Sequence, residues 1–177
     1  MNYLGISKCS IADGTGVRCV LWCSGCTMHC YNCQNPQTWD FNAGAVFDSA
    51  AKERLFEALN HPYIQGLTLS GGHPLEPQNL KGVYEIVKET KEMLPDKDIW
   101  LYTGYTLDAN DFYTPSNFDT AFLRNYIISM CDVVVDGNYV DSLRDLTLPF
   151  RGSSNQRLID VNETIKQGQI VLYNTKL

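Results

Sequence analysis

Hydrophobic positions in this chain come as short continuous runs set between stretches with helical spacing. VRCVLW (17–22) reads as a buried strand and QGLTLSGG (65–72) as a strand entering a double-glycine turn. DIWLYTGY (98–105) reads as a strand ending at a glycine, and DVVVDG (132–137) as an apolar strand closed by Asp136-Gly137. Leu55, Phe56 and Leu59 share one face of a helix that Asp48 or Ser49 would cap. Leu80, Val83, Tyr84, Val87 and Leu94 keep near-helical spacing through EPQNLKGVYEIVKETKEML (76–94), and FDTAFLRNYIISM (118–130) predicts a third helix. RGSSNQRLIDV (151–161) reads as a loop leading into a final strand, and QIVLY (169–173) as one more.

Strands alternating with helices predict βα units, a mostly parallel sheet and an α/β fold. Runs that are apolar throughout suit strands covered on both faces. No repeat, biased tract or linker divides the chain, so residues 1–177 read as one domain. Ligands of such folds bind beyond the carboxyl ends of the strands. Those ends carry a cysteine-rich loop, Ser70-Gly71-Gly72-His73, Thr103-Gly104 and Asp136-Gly137, so the unusual chemistry converges on one rim.

With 177 residues the chain can bury a core without staples. Its net charge of −6, with no run of Lys or Arg, argues against nucleic acid as a partner. MNYLGISKCSIADG lacks the basic-then-apolar pattern of a secretory leader, and no apolar run is long enough for a bilayer. A cytoplasmic location and no membrane association are the expectations. Clustered cysteines in a reducing compartment point to metal binding or catalysis rather than to disulfides.

Five of the seven cysteines fall in RCVLWCSGCTMHCYNCQNP (18–36), where C-x3-C-x2-C fits twice. Cys19 lies inside a predicted strand, roughly 13 Å from Cys23 at the usual rise, so those two thiolates cannot converge. Cys26, Cys30 and Cys33 lie in a loop that can curl, and geometry selects them. Cys19 is assigned to the core, Cys23 is a spare at the loop entrance, and Cys9 and Cys131 read as small buried residues. What the three bind stays open from spacing alone. Zinc on Cys23, Cys26, Cys30 and Cys33 would leave only three residues between the pairs. The bacterial ferredoxin spacing does not match, and His29 reads as a polar neighbour. A four-iron cubane on three thiolates would keep one iron open.

The glycine segments divide. DGTGVR (13–18) is half of a dinucleotide fingerprint, but it precedes its strand and lacks the third glycine, which leaves a tight turn or a ligand contact. A helical pattern follows Gly71-Gly72, which favours close approach of backbone to a ligand over a hairpin. Asp136, buried at a sheet rim, would need a cation or a donor.

Taken together, these residues resemble a known family. Cys26-x3-Cys30-x2-Cys33 is similar to the cluster motif of radical S-adenosylmethionine enzymes. The ordered set DGTGVR, CQNPQTWDFNAG, LSGGHPLEPQN, WLYTGYT, VVVDGNYV and FRGSSNQRLIDV resembles the activating proteins of anaerobic ribonucleoside-triphosphate reductase, from about residue 13 to 161. The resemblance implies an incomplete TIM-type barrel with a [4Fe-4S] cluster on Cys26, Cys30 and Cys33. S-adenosylmethionine would bind at the open iron. Asn32, Cys33 and Gln34 would line this cofactor through the loop backbone, Gly71, Gly72 and His73 would hold its methionine amino end, and Thr103 and Asp136 would complete the pocket. The implied activity is reductive cleavage of S-adenosylmethionine to raise a glycyl radical on the reductase, with electrons from a flavodoxin-type donor. Relatives usually carry an acidic residue where His73 stands, proline at Thr15, and an aromatic residue or glycine at Asn32. Two other readings remain: an activase for another glycyl radical enzyme, such as pyruvate formate-lyase, and a non-enzymatic zinc or electron-transfer module. Arg151 to Asn155 reads as a candidate docking loop or as a solvated connector.

Overall fold

The computed structural model describes residues 1–112 and 120–175. Seven strands form one sheet: β1 (Asn2–Ser10), β2 (Arg18–Cys23), β3 (Ala45–Val46), β4 (Gly66–Gly71), β5 (Asp98–Tyr102), β6 (Val133–Asp136) and β7 (Arg157–Asp160). Their spatial order is β3-β1-β2-β4-β5-β6-β7. The four central strands run parallel, whereas β1 pairs antiparallel with β2 and β7 antiparallel with β6. The sheet is α/β, mixed and mostly parallel, and it does not close into a barrel.

Side-chain alternation along each strand separates two faces. Cys19, Leu21, Leu67, Leu69, Ile99, Leu101, Val134 and Ile159 point into the main core. That core is completed by the helices α1 (Ser49–Leu59), α2 (Pro77–Met93), α3 (Thr120–Met130) and α4 (Val161–Gln167), which contribute Leu55, Leu59, Val83, Val87, Ile127, Ile128 and Val161. On the opposite face Trp100, Val133, Val135 and Leu158 form a smaller cluster under Phe150 and Tyr173. The central strands are therefore apolar on both sides, but only one side carries helices.

The DGTGVR turn closes the lower end of the second face. Arg18 is fully buried, stacks its guanidinium 5.3 Å from the Trp100 ring centroid and pairs with Asp98. It also donates to Thr68 Oγ1 at 2.7 Å and to the Leu67 carbonyl at 2.8 Å. Gly14 has φ +136°, and a Cβ there would lie 2.7 Å from Arg18 and 2.8 Å from Trp100. The turn is tight because it packs onto this buried cation.

Three elements differ from the sequence reading. β1 was not expected, because NYLGISKCS is half-exposed along most of its length and shows no clean alternation. QIVLY is no strand; it makes one isolated bridge, Ile159 to Leu172, after α4. α4 itself had a readable signature in Asp160-x-x-Glu163, since the Asp160 carboxylate accepts from the Glu163 amide at 2.9 Å and Gly168 ends the helix at φ 67°. Cys131 is buried as expected, but Cys9 is exposed on β1. Residues 118 and 119 of the third predicted helix lie outside the described residues.

Candidate functional site

Cys26, Cys30 and Cys33 enter one cavity of about 440 Å³ at the carboxyl ends of β2, β4, β5 and β6. The loop achieves this by turning twice through the left-handed region at non-glycine residues. His29 (φ 43°) lies between the first two cysteines, and Asn32 (φ 54°) between the second two. The Cys33 amide closes a turn on the Cys30 carbonyl at 3.1 Å. Burial pushes the Cys26 and Cys30 thiols above their usual range. Backbone amides oppose this: those of Met28 and His29 at Cys26, and that of Tyr139, from across the cavity, at Cys30. The Asn35 amide approaches Cys33 Sγ at 3.4 Å. Amides aimed at sulfur stabilise thiolates, the form that binds metal.

Cys19 and Cys23 take no part. Both are fully buried among core side chains, and burial pushes each thiol up to about 12. That removes Cys23 from a four-cysteine zinc site. Among the described residues no three His, Cys, Asp or Glu side chains meet at one metal-ion position, whereas a cubane takes each cysteine on a different iron. His29 stacks on Trp39, with ring centroids 4.6 Å apart, and acts as a packing residue.

The loop is fastened to the next rim segment at several points. The Gly72 amide donates to the Cys23 carbonyl and the His73 amide to the Gly25 carbonyl, both at 2.8 Å. Gly71 has φ +102°, and a Cβ there would stand 2.7 Å from the Cys23 carbonyl oxygen; one on Gly72 would stand 2.6 Å from that of Gly25. Both glycines line the cavity, yet what they permit is contact with the cysteine loop's own backbone. The sequence reading assigned that closeness to a ligand.

His73 is buried at the same rim. Its Nδ1 lies 3.2 Å from Glu76 Oε1, and its Nε2 lies 2.8 Å from Thr103 Oγ1, which accepts the Tyr105 amide. Burial lowers the imidazole's pKa despite the neighbouring carboxylate, so the ring is neutral. Nδ1 then donates to Glu76, and Nε2 accepts from Thr103. Burial pushes Glu76 up, but the hydroxyl and amide of Thr27, together with His73, hold it below the usual carboxylate range. Thr27 follows Cys26 directly, and both of its groups donate to Glu76 Oε1, at 2.7 and 2.8 Å. Sequence reasoning missed Glu76, although a glutamate before Pro77 at a helix start, three residues after His73, was a visible signal.

The other expected site residues divide. Gln34, Gly71, Gly72, His73 and Thr103 line the cavity with the cysteines. Asn32 is exposed and outside the lining, because its left-handed backbone turns its side chain to solvent. Asp136 is fully buried behind the lining, where its carboxylate meets Arg157 Nε at 3.0 Å and Nη2 and accepts the Leu107 amide at 2.9 Å. Its cation is therefore in the chain, in keeping with the charge argument. Asp13, Trp22, Tyr139, Leu148 and Phe150 also line the cavity and were not anticipated.

The residues fit a cluster and a small polar cofactor. Three thiols face one chamber whose walls also carry two buried donors, Trp39 Nε1 and Arg151 Nε, without partners among the described residues. Residues 12–159 match the family described as a 4Fe-4S single cluster domain. The chain is 39% identical over 158 residues to the anaerobic ribonucleoside-triphosphate reductase-activating protein of Haemophilus influenzae, covering 88% of this chain and 96% of that protein. The protein of that name from Escherichia coli K12 shows the same identity and coverage, and the one from bacteriophage T4 is 39% identical over 89% of this chain and 93% of its own. With three cysteines gathered at the rim of an open α/β sheet and similarity along nearly its whole length, the chain belongs to the family of anaerobic ribonucleoside-triphosphate reductase-activating proteins.

Proposed function

We propose that this protein is a single-domain radical S-adenosylmethionine activase whose substrate is a glycine in anaerobic ribonucleoside-triphosphate reductase. Cys26, Cys30 and Cys33 would hold a [4Fe-4S] cluster, which would supply the electron for reductive cleavage of S-adenosylmethionine and so the radical chemistry that removes a hydrogen atom from that glycine. The chain's own residues position and shield. The three thiolates would hold the cluster and, being three, would leave coordination open to the cofactor. Gln34, Gly71 and Gly72 line the cavity and would offer backbone groups to the methionine part. Burial keeps His73 neutral while Glu76 and Thr103 orient its ring, so it adds no charge beside the cofactor. Trp22, Trp39, Tyr102 and Phe150 give the chamber walls that exclude water, which an unquenched radical requires. A hydrogen-atom transfer of this kind needs no general base. A flavodoxin-type protein is the proposed electron source. Among the described residues no helix is long and apolar enough to cross a membrane, and we place the reaction in the cytoplasm.

The observation that carries this reading is the opening of Cys26, Cys30 and Cys33 into one cavity shared with the Gly71-Gly72-His73 turn. Anaerobic reconstitution, iron analysis and assay of 5′-deoxyadenosine after chemical reduction test it. Cys26→Ala, Cys30→Ala and Cys33→Ala are each expected to lose the four-iron complement and all cofactor cleavage, whereas Cys19→Ala keeps both. Zinc in place of iron, or no deoxyadenosine from the wild-type protein, would defeat the reading. A glycyl radical signal on the reductase, but none on a pyruvate formate-lyase mixed in the same way, fixes the partner.

A further inference from the structure

We infer that Ile11, Tyr31 and Leu146 form a three-point apolar collar around the cavity mouth, onto which the reductase lays the polypeptide segments flanking its glycine. The inference rests on the function proposed above and names the surface that serves it.

Among the described residues these are the three most exposed large apolar side chains, at 78%, 77% and 77% of their surface. They come from three separate parts of the chain, and each either lines the cavity or adjoins in sequence a residue that does. Ile11 precedes Ala12 and Asp13, Tyr31 follows Cys30, and Leu146 lines the cavity itself. The next most exposed apolar side chains, Val46 on β3, Met93 at the end of α2 and Leu172 after α4, lie elsewhere. Single exposed apolar residues are ordinary, whereas a set gathered round one opening marks a contact surface.

The occupant follows from the chamber. A cavity of about 440 Å³ that must also take a cofactor admits a short loop and no folded domain. Between Met28, Tyr139 and Leu148 in its walls, a glycine tip lets the entering backbone descend furthest. Residues on either side of that tip must then rest on the rim. Charged Asp13, Arg144 and Asp145 stand within two residues of Ile11 or Leu146 in the sequence, a mixture that suits a protein surface better than lipid. In the 151–155 loop, Arg151 and Gly152 line the cavity, whereas Ser154 and Asn155 are exposed. Ser153 is fully buried, and the amides of Gly152 and Ser153 both donate to Gln156 Oε1, at 2.9 and 3.2 Å.

The test is the affinity of the iron-loaded protein for purified reductase, measured without oxygen and with S-adenosylmethionine present. Ile11→Ser, Tyr31→Ser and Leu146→Ser are each expected to weaken binding about tenfold or more, the scale of an interface anchor. Val46→Ser and Met93→Ser, equally apolar and remote from the mouth, are expected to leave it unchanged. Iron content and circular dichroism of every variant report on folding. Collar variants that bind as the wild type does, or that lose no more than the remote pair, overturn the inference. Deoxyadenosine formation by the wild-type protein alone is assayed in parallel. Its absence would remove the proposed function and the collar with it, whereas its presence beside intact collar-variant binding would remove the collar alone.

Discussion

Three contacts fix the ring of His73, with Glu76 on one nitrogen, Thr103 on the other and the Tyr105 ring edge-on at 4.5 Å, while burial favours its neutral form against the pull of the Glu76 carboxylate. Its folded pKa lies below the ordinary 6.5, so folding favours the neutral ring. The corresponding stability is fully present above 6.5 and is lost as pH falls toward the depressed folded value, because only the unfolded chain takes up the proton readily. His73→Ala should cost about 1–3 kcal/mol near neutral pH by leaving Glu76 and Thr103 short of partners. It should also flatten the acid side of the stability curve, which thermal unfolding at a series of pH values would reveal. At this scale the sequence was legible where chemistry is local. Cysteine spacing and strand geometry separate Cys26, Cys30 and Cys33 from Cys19. Partner-dependent roles were not legible. Glu76 finds Thr27 across 49 residues and Asp136 finds Arg157 across 21, and nothing in either neighbourhood announces its partner. Cys9 was expected inside because cysteine is usually buried, but it stands on the outer antiparallel strand.

Elements with strong local signals were read correctly, and those formed by pairing were not. The continuous apolar runs at 17–22 and 132–137 declare strands because burial on both faces removes any polar alternation. β1 carries no such run and exists by pairing with β2 and β3. The short helix α4 depends on its ends more than on its length. Asp160 caps it, and Val161 and Thr164 are its buried positions. Removing the cap carboxylate with Asp160→Ala should cost about 1 kcal/mol. Chemical denaturation would measure this, and amide shifts after residue 161 would locate it. Because Thr164 Oγ1 accepts the Val171 amide at 3.0 Å, the segment that follows should loosen as well.

Across the whole molecule, the cysteine loop and the double-glycine turn are not separate parts. Gly25 and Cys26 donate to the carbonyls of Thr38 and Trp39, while Gly72 and His73 donate back to those of Cys23 and Gly25. The Asn79 side chain ties the Ser24 and His73 carbonyls together, at 2.9 and 3.1 Å. Since Gly71 stands against the Cys23 backbone, neither strand end can shift without displacing the other. The two therefore melt as one cooperative unit. Hydrogen exchange should give the amides of Gly25, Cys26, Gly72 and His73 a common opening free energy. Gly71→Ala, which adds a 2.7 Å clash with the Cys23 carbonyl to the about 1–2 kcal/mol cost of a left-handed backbone, should accelerate exchange on both sides of the junction. Damage that begins at one cysteine would then reach the double-glycine turn in the same event, so a protein working as proposed above would lose its grip on metal and on sulfonium together rather than in stages.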